Sequence, residues 1–462
     1  MSISDWSLVP IGSVCDGIFD GPHATPPKTD HGPVFLGISS LINGRIVLTE
    51  TEHVDEEFFK KWTRRVVPSS GDLVFSYETR LGEGAMIPDG LRCCLGRRMA
   101  LARPDVAKVD PRFLLYAFLS PAFQETIRKH TVHGSTVDRI PLLQFPEFLV
   151  PLPDLSEQRD IAAVLGSLDD KIEQNRRTGR KLEELARAVF KAWFVDFEPV
   201  KAKAAGATAF PGMPPAAFAT LPNTLKDSPI GPVPEGWEVG TLSDIADVIM
   251  GTSPPSSTYN DEAIGVALIN GPVEYGERFP LRLKWTTAPV KKASDGDLIF
   301  CVRGSTTGRR VISDGIYGLG RGVCAIRGKA ASQPFVNALV DFDLPRLLGG
   351  TTGSVFPSLS APTIKGFGIV SPPLVFIRAY CEHSARLLEA ANSGARESAK
   401  LATLRDYLLP RLLSGRVRVA GAGIDAHAAA AGGADHDQGR HAARHDGDRL
   451  TARGSAAGRK AD

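Results

Sequence analysis

The chain has 462 residues, is 43% hydrophobic and 23% charged, and carries a formal net charge of +2 at pH 7. This length leaves room for about three domains with buried cores, and no apolar run approaches the roughly 18 residues that a membrane span needs. The six cysteines lack CxxC spacing, which argues against a zinc site, and the first residues lack the features of a signal peptide. We therefore expect a cytoplasmic protein that holds no metal.

Residues 1–153 predict a first domain of mixed strand and helix. Short β-type runs separated by turn residues fill its first half, among them VFLGISS, GDLVFSY and CCLGRRMAL. The later run PRFLLYAFLSPAFQETIRKH, which starts at Pro111, has helical character. The pattern favours an α+β domain in which most strands precede the helix.

Residues 154–198 predict a spacer between the two domains. Within it, Ser156 to Glu198 are expected to form one long helix. At roughly 1.5 Å per residue this helix is about 60 Å long, more than one compact domain needs. Asn175 occupies the one polar position of its seam, where it is typical of a register-setting residue or a partner contact. Apolar or small residues recur in alternating steps of four and three at Ile161, Leu165, Leu168, Ile172, Gly179, Leu182, Ala186, Val189 and Trp193.

The aromatic cluster of Trp193, Phe194 and Phe197 ends this helix. It exceeds what a two-helix seam can bury, so we expect it to be exposed as a docking patch for a partner subunit. The alternative is packing against the segment that follows. That segment, residues 199–234, is rich in Pro and Ala without helical or strand period, and it predicts an unpacked linker.

The second domain, residues 235–373, repeats the first. The matching features keep their order: Trp6 with Trp237, GDLVF at 71–75 with GDLIF at 296–300, and Gly134-Ser135 with Gly353-Ser354. The repeat continues into a second spacer helix at 374–418, with a rougher seam from Val375 to Leu413. Residues 419–462 lack periodic apolar residues and predict a disordered tail.

The predicted fold class is thus α+β, with two mixed domains that are each followed by a long helix. Since each helix has an apolar seam, packing the two against each other buries both. A globular domain separates them in the chain, so we expect an antiparallel coiled coil with the domains at opposite ends.

These residues resemble the specificity subunit of type I restriction-modification systems. The resembling motifs lie within residues 1–418 and are LPDLSEQRDIAAVLGSLDDKIEQNRR, KLEELARAVFKAWFVDFEPV, GDLVFSYETRLGEGAMIP, PIGPVPEGWEV and LRDYLLPRLLSGRVRV. The resemblance implies two target-recognition domains that each read part of a split site in double-stranded DNA, and paired helices that set the gap. It implies docking of two methyltransferase subunits and of motor-nuclease subunits. S-adenosylmethionine, ATP and Mg would serve those partners, and this chain would hold no cofactor and no catalytic residue.

The charge distribution favours DNA binding independently. Residues 60–139 contain 14 basic and 8 acidic residues, and residues 278–329 contain 11 basic and 3 acidic residues. The long helix at 156–198 has 8 basic and 9 acidic residues and is nearly neutral. Two basic regions that flank a neutral helix indicate two surfaces that face phosphates.

Matching loops in the two domains supply the candidate DNA contacts. After the GDLVF strand come Tyr77, Thr79 and Arg80, and after the GDLIF strand come Arg303, Ser305 and Thr306, with Arg309 and Arg310 behind them. A second matching pair of loops contains His133, Ser135 and Ser354. The alternatives are ordinary solvated arginines and, in the second pair, a glycine turn. Arg97 and Arg98 are weaker candidates, because adjacent strand residues point to opposite faces.

Two near-matches to enzyme motifs have simpler explanations. PD at 153–154 with DDK at 169–171 spells a nuclease-like pattern, but the second part lies on the polar side of a helix. SPPL at 371–374 resembles an adenine methyltransferase motif, but it lacks the aromatic residue and is typical of a helix entry. A fused methyltransferase or nuclease, and a structural coiled-coil adaptor, are the alternative functions.

Overall fold

A computed structural model of the chain describes residues 6–134, 137–350, 358–420 and 423–424. The chain divides into two compact units. Unit 1 comprises Met1–Asp169 together with Thr403–Asp462, and unit 2 comprises Asp170–Ala402. The predicted disordered tail lies outside the described residues, apart from its first residues.

The helices are α1 (Glu56–Trp62), α2 (Pro111–Leu119), α3 (Pro121–His130), α4 (Leu155–Phe194), α5 (Glu198–Ala204), α6 (Pro215–Thr220), α7 (Leu242–Ile245), α8 (Gln333–Phe342), α9 (Leu344–Leu348), α10 (Ala361–Lys365) and α11 (Leu374–Leu413). Both 40-residue helices, α4 and α11, contribute residues to both units. Among the described residues, no helix is both long enough and apolar enough to span a membrane.

The strands up to α4 are β1 (Ser7–Pro10), β2 (Cys15–Asp20), β3 (Thr29–Leu36), β4 (Leu41–Ile42), β5 (Arg45–Ile46), β6 (Glu52–His53), β7 (Leu73–Ser76), β8 (Gly84–Met86), β9 (Cys93–Leu95), β10 (Met99–Pro104) and β11 (Leu149–Leu152). The later strands are β12 (Leu225–Lys226), β13 (Val233–Pro234), β14 (Glu238–Thr241), β15 (Ala246–Met250), β16 (Tyr259–Asn260), β17 (Val266–Ile269), β18 (Trp285–Thr286), β19 (Lys292–Ala293), β20 (Leu298–Cys301), β21 (Arg310–Ile312), β22 (Tyr317–Leu319), β23 (Val323–Gly328), β24 (Gly368–Ser371), β25 (Val419–Ala420) and β26 (Gly423–Ile424).

The two units contain four-stranded sheets of the same topology. The strand order is β2-β10-β7-β8 in unit 1 and β15-β23-β20-β21 in unit 2, and all neighbouring strands are antiparallel. Beside each sheet lies a parallel pair, β3 with β9 and β17 with β22. The internal repeat predicted from the sequence is therefore confirmed in the sheet topology.

The matching Gly-Asp-Leu segments carry a buried carboxylate just before the central strands β7 and β20. The Asp72 side chain accepts hydrogen bonds from Arg103 Nε at 2.9 Å, from Arg103 Nη2 at 2.7 Å and from the Ser69 amide at 2.8 Å. Asp297 accepts the same two bonds from Arg327, at 2.9 and 2.7 Å. The motif thus ties β7 to β10 and β20 to β23, because each arginine lies on the neighbouring strand.

The long helices α4 and α11 are antiparallel. In unit 1, Arg405 of α11 donates a hydrogen bond to Asp169 of α4 at 2.8 Å. In unit 2, the Tyr380 hydroxyl of α11 donates to the Ala186 carbonyl of α4 at 3.2 Å. Partner numbers fall along α11 as they rise along α4, so the predicted antiparallel pairing is confirmed.

Asn175 joins the two helices within unit 2. Its amide nitrogen donates to the Gly394 carbonyl at 3.3 Å and to the Glu397 carboxylate at 2.7 Å. Lys171 lies 3.6 Å from the same carboxylate. Because a displaced helix would leave these polar groups unmatched, the contacts support the register-setting role expected for Asn175.

The run from Pro111 is helical as predicted, although it is divided, and one predicted helix end was wrong. The helical run from Pro111 is two helices, because the Ser120 side chain caps α3 by accepting from the Phe123 amide at 3.3 Å and Pro121 begins that helix. The helix predicted to reach Glu198 ends at Phe194, since Phe197 has a left-handed backbone with φ of 53°. A non-glycine residue with positive φ cannot continue a right-handed helix.

The aromatic cluster at the end of α4 is buried, which contradicts its predicted exposure. Trp193, Phe194 and Phe197 are 2%, 5% and 7% exposed and belong to the core of unit 2. The Phe194 and Phe197 ring centroids lie 6.0 and 5.8 Å from that of Trp237. The alternative interpretation, packing against the following segment, is therefore the correct one.

The unpacked linker predicted at 199–234 is also wrong. Part of this segment folds into α5 and α6, and Val200, Met213, Phe218 and Leu221 are buried in the same core as the aromatic cluster. The segment lacks a helical or strand period because single side chains, spaced by prolines, anchor it to the aromatic cluster. Sequence periodicity does not detect packing of this kind.

Candidate nucleic-acid interface

One edge of the four-stranded sheet gathers several loops of unit 1. Strands β2 and β7 end at this edge and β10 begins there, because Asp20 is paired with Ala100 and Ser76 with Met99. The loops after β2 and β7 and the turn before β10 therefore leave the sheet side by side.

Backbone hydrogen bonds join the loop after β7, the turn before β10 and residues 137–140 into one surface. The Tyr77 amide donates to the Arg98 carbonyl at 3.2 Å, the Thr79 amide to the Asp138 carbonyl at 3.2 Å, and the Ile140 amide to the Tyr77 carbonyl at 2.8 Å. We call residues 77–80, 96–98, 132–134 and 137–140 the unit 1 loop surface. It brings together two loops that the sequence offered as separate candidates.

Unit 2 builds the same surface from matching segments. The Val302 amide donates to the Gly322 carbonyl at 2.9 Å, and the Leu359 amide donates to the Val302 carbonyl at 2.9 Å. Arg303 forms an antiparallel bridge with Ser358. We call residues 302–307, 320–322 and 358–359 the unit 2 loop surface. The loop architecture is thus duplicated together with the sheet.

Tyr77 supports the loop surface from below. The residue is only 4% exposed, and its hydroxyl donates to the Arg97 carbonyl at 3.1 Å. Burial raises the pKa of Tyr77 to about 12, so the hydroxyl keeps its proton and remains a donor at neutral pH. Tyr77 therefore holds the turn before β10 and is not itself on the outer surface.

Thr79 and Arg80 lie nearer the solvent. Thr79 is exposed, has a φ of 70°, and accepts a hydrogen bond from Arg98 Nη1 at 3.1 Å. A positive φ in a β-branched residue is strained, and such strain persists only where the surroundings enforce it. Arg80 forms an ion pair with Glu83 at 3.1 Å, so its charge is partly neutralised.

The second pair of candidate loops is only partly described. His133 is exposed, and its Nδ1 lies 3.1 Å from Asp138 on the unit 1 loop surface. Ser135 and Ser354 lie outside the described residues. The structure therefore supports a place for His133 on the surface.

The unit 2 candidates divide by exposure. Arg303 and Ser305 are exposed on the unit 2 loop surface. Thr306 is half-buried, with its hydroxyl 3.6 Å from the Cys301 sulfur. Of these three side chains, Arg303 is the one that combines positive charge with exposure.

Arg309 and Arg310 have different surroundings. Arg310 forms an ion pair with Asp341 of α8, and Arg187 of α4 lies 3.3 Å from the same carboxylate. Arg310 therefore links β21 to α8 and α4 and serves packing within unit 2. Arg309 is exposed.

Of three exposed arginines, Arg97 was ranked too low from the sequence, and Arg139 and Arg321 were missed. Arg97 and Arg98 lie in a turn between β9 and β10 and not on a strand, so the alternation argument against them was wrong. Arg97, Arg139 and Arg321 are all exposed beside the candidate loops. The signal was present as a Gly-Arg pair just before the matching strands β10 and β23.

The nuclease-like acids have structural partners. Asp154 accepts a hydrogen bond from the Glu157 amide at 2.9 Å, as a cap at the start of α4. Asp169 accepts from the Tyr116 hydroxyl at 2.7 Å and from Arg405 at 2.8 Å. The described residues contain no group of His, Cys, Asp or Glu side chains arranged to hold a metal ion. The segment SPPL leads directly into α11 at Leu374, as expected for a helix entry.

The fold is thus a duplicated sheet with a duplicated loop surface in two units, and each unit contains part of both long helices. Residues 4–184 match the family model described as the type I restriction modification DNA specificity domain. This match, together with the relatives named below, supports a specificity subunit of a type I restriction-modification system.

Individual relatives span most of the chain. It is 26% identical over 433 residues to a Methanocaldococcus jannaschii protein assigned as the MjaX specificity subunit, covering 90% of this chain and 94% of that one. It is 24% identical over 477 residues to the HindI specificity subunit of Haemophilus influenzae, covering 90% and 100%. A crystal structure of a type I S subunit from M. genitalium has the same fold, with a TM-score of 0.52 and 15% identity over 89% of this chain and 96% of that one.

Proposed function

We propose that each unit of this specificity subunit reads one half of a bipartite site in double-stranded DNA through its loop surface. The observation that carries the proposal is the duplication of that surface, with equivalent strands and two equivalent backbone hydrogen bonds in the two units. Two copies of one surface suit a site with two half-sites, because protein geometry is reflected in half-site geometry.

Charge supports the same assignment. The unit 1 loop surface lies almost entirely within the basic region 60–139, and segments 302–307 and 320–322 lie within the basic region 278–329. DNA phosphates attract such regions, and arginines on loops can also donate two hydrogen bonds to a guanine. The loop surfaces therefore offer both non-specific attraction and base recognition.

The partners and the chemistry follow from the type I system. We propose that two methyltransferase subunits and motor-nuclease subunits assemble with this chain, and that S-adenosylmethionine, ATP and Mg are used by those partners. This chain then contributes recognition and no catalytic group. The structural roles of Asp154 and Asp169 support that division of labour.

The lengths of α4 and α11 provide a way to set the gap between the half-sites. Inserting seven residues into both helices at matched positions preserves the heptad seam and adds about 10 Å. We expect the gap to grow by about three base pairs with the half-site letters unchanged, which mapping of methylated sites would show. Altered half-site letters with an unchanged gap would contradict this role.

The proposal is tested by purifying the chain with and without its methyltransferase subunits. Binding to a panel of split DNA sites and methyl transfer are then measured at several salt concentrations. We expect sequence-selective, salt-sensitive binding and methylation by the complex alone. Methylation by the lone chain would instead indicate a fused enzyme, and absent or salt-insensitive DNA binding by the complex would indicate a structural adaptor.

A further inference from the structure

Each unit presents an arginine at the same place in a tight turn. Residues 96–98 are Gly-Arg-Arg and precede β10, and residues 320–322 are Gly-Arg-Gly and precede β23. Both turns are closed by the same backbone bond, from Met99 to the Gly96 carbonyl at 3.0 Å and from Val323 to the Gly320 carbonyl at 3.3 Å. Arg97 and Arg321 therefore occupy equivalent positions.

The first residue of each turn is held tightly by the neighbouring strand. The Gly96 amide donates to the Leu36 carbonyl at 2.8 Å, and the Gly320 amide donates to the Ile269 carbonyl at 2.8 Å. A Cβ atom on Gly96 would lie 2.6 Å from the Leu36 oxygen, and one on Gly320 would lie 2.2 Å from the Asn270 side chain. The turn at Gly96 thus needs glycine for its close approach to backbone, and in both turns the backbone hydrogen bonds fix the residue that precedes the arginine.

The two arginines of the unit 1 turn differ in their partners. Arg98 donates to the Thr79 hydroxyl at 3.1 Å and lies 3.6 Å from the Glu78 carboxylate. Its guanidinium therefore pairs with other residues of the loop surface. Arg97 is exposed, and within the described part of the chain no carboxylate pairs with its guanidinium. The outward cation of this turn is therefore Arg97.

The unit 2 turn keeps the outward arginine and lacks the inward one. Gly322 stands where unit 1 has Arg98, and Arg303 stands where unit 1 has Glu78, so the internal ion pair is absent from this copy. Arg321 is nevertheless present and exposed, again without a paired carboxylate among the residues that the structure describes. The side chains at the neighbouring positions differ between the two units, and both turns nevertheless keep the same fold. The fold alone therefore does not require an arginine in the middle of the turn.

We propose that Arg97 and Arg321 are specificity-determining residues that donate to base edges, one in each half-site. This inference rests on the proposed function of the loop surfaces. A guanidinium on a rigid turn suits bidentate donation to guanine O6 and N7, since direct readout requires a donor fixed to within a hydrogen bond. Tyr77 adds to the rigidity in unit 1 by donating to the Arg97 carbonyl.

The test uses the complex of this chain with its methyltransferase subunits and a library of split DNA sites. The variants are Arg97→Ala, Arg97→Lys and Arg321→Ala, and each alanine variant is the control for the half-site of the other unit. Arg128→Ala is the matched control in unit 1, because Arg128 is an exposed arginine on α3 that pairs with Glu125.

We expect Arg97→Ala to lower discrimination about 10- to 100-fold at one base pair of one half-site, and Arg321→Ala to do the same in the other half-site only. Arg97→Lys should lose most of the same discrimination, because an ammonium cannot make the bidentate fork. Arg128→Ala should leave every letter unchanged.

Two results would overturn the inference while leaving the proposed function intact. One is weaker binding to all DNA sequences alike, with the slope of log K against log[salt] reduced by about one. That result would show that the arginines contact DNA phosphates and not bases. The other is unchanged selectivity in both alanine variants. Absence of any sequence selection by the wild-type complex would overturn the proposed function itself, and the inference with it.

Discussion

Replacing Asp72 by asparagine tests whether the Gly-Asp-Leu motif stabilises its unit. The Asp72 side chain is 3% exposed and accepts three hydrogen bonds, two of them from Arg103. Asparagine keeps the volume but removes the charge and turns one acceptor into a donor. Hydrogen bonds to charged groups contribute about 1.5–3 kcal/mol each, and a buried ion pair that loses one partner costs about 3–5 kcal/mol. Because the Arg103 side chain is 33% exposed, we expect a loss of about 2–4 kcal/mol.

Buried thiols provide a separate assay for each unit. Cys94 of unit 1 and Cys324 of unit 2 are both buried, and burial raises the pKa of each thiol to about 12. The thiolate is the reactive form, so alkylation at neutral pH requires opening of the surrounding structure. Each 1.4 kcal/mol of lost stability raises the population of the open state tenfold, so a loss of about 2 kcal/mol corresponds to about 30-fold. Asp72→Asn should therefore speed labelling of Cys94 by about 30-fold or more and leave labelling of Cys324 unchanged. The matching Asp297→Asn should give the reverse pattern.

The control is Arg128→Ala, which removes an exposed ion pair whose side chains are 66% and 46% exposed. Pairs of this kind contribute less than about 1 kcal/mol, so labelling should change by only a few-fold. If Asp72→Asn changed Cys94 labelling no more than this control, the buried pair would not stabilise unit 1. Equal acceleration at Cys94 and Cys324 would show that the units do not unfold separately.

The remaining predictions concern the helices. Trp193→Ala should destabilise unit 2 by about 3–5 kcal/mol, seen as faster labelling of Cys324, because the indole is buried in that core; labelling at the wild-type rate would contradict the observed burial. Tyr116→Phe removes one hydrogen bond to Asp169 and should cost about 1 kcal/mol in thermal unfolding without changing DNA selection; loss of methylation would revive a catalytic role for that acid. Asn175→Ala should cost about 0.5–1.5 kcal/mol and speed amide hydrogen exchange in the middle of α4, and unchanged exchange would argue against its register role.

The long helices were predictable because their signal is local and periodic. A seam that repeats over many turns identifies a helix wherever it packs, so the predicted start at Ser156 differs from α4 by one residue. The end was predicted four residues late, because the left-handed backbone of Phe197 has no periodic signature. Packing of the 199–234 segment was missed for the same reason, since isolated anchors such as Phe218 form no pattern.

The candidate interface was predictable as a set of loops but not as a surface. Matching the GDLVF and GDLIF strands identified the segments that carry Thr79 and Arg303, which the structure places on the two loop surfaces. Composition does not indicate which side chains are exposed. In the structure Tyr77 is buried beneath the outer surface, and Arg310 forms an ion pair inside unit 2.

By itself, the sequence determined the duplication, the two antiparallel helices and the location of positive charge, because repeats, periodicity and charge are properties of residues in order. The tertiary structure decided which residues share a surface. Antiparallel pairing brings the ends of β2 and β7 and the start of β10 to one edge, and hydrogen bonds then join loops far apart in the chain. The folded positions of neighbouring residues decide which arginine points outward. Arg98 lies beside Glu78, whereas Arg97 has no paired carboxylate among the described residues. Such pairings arise only when the chain has folded.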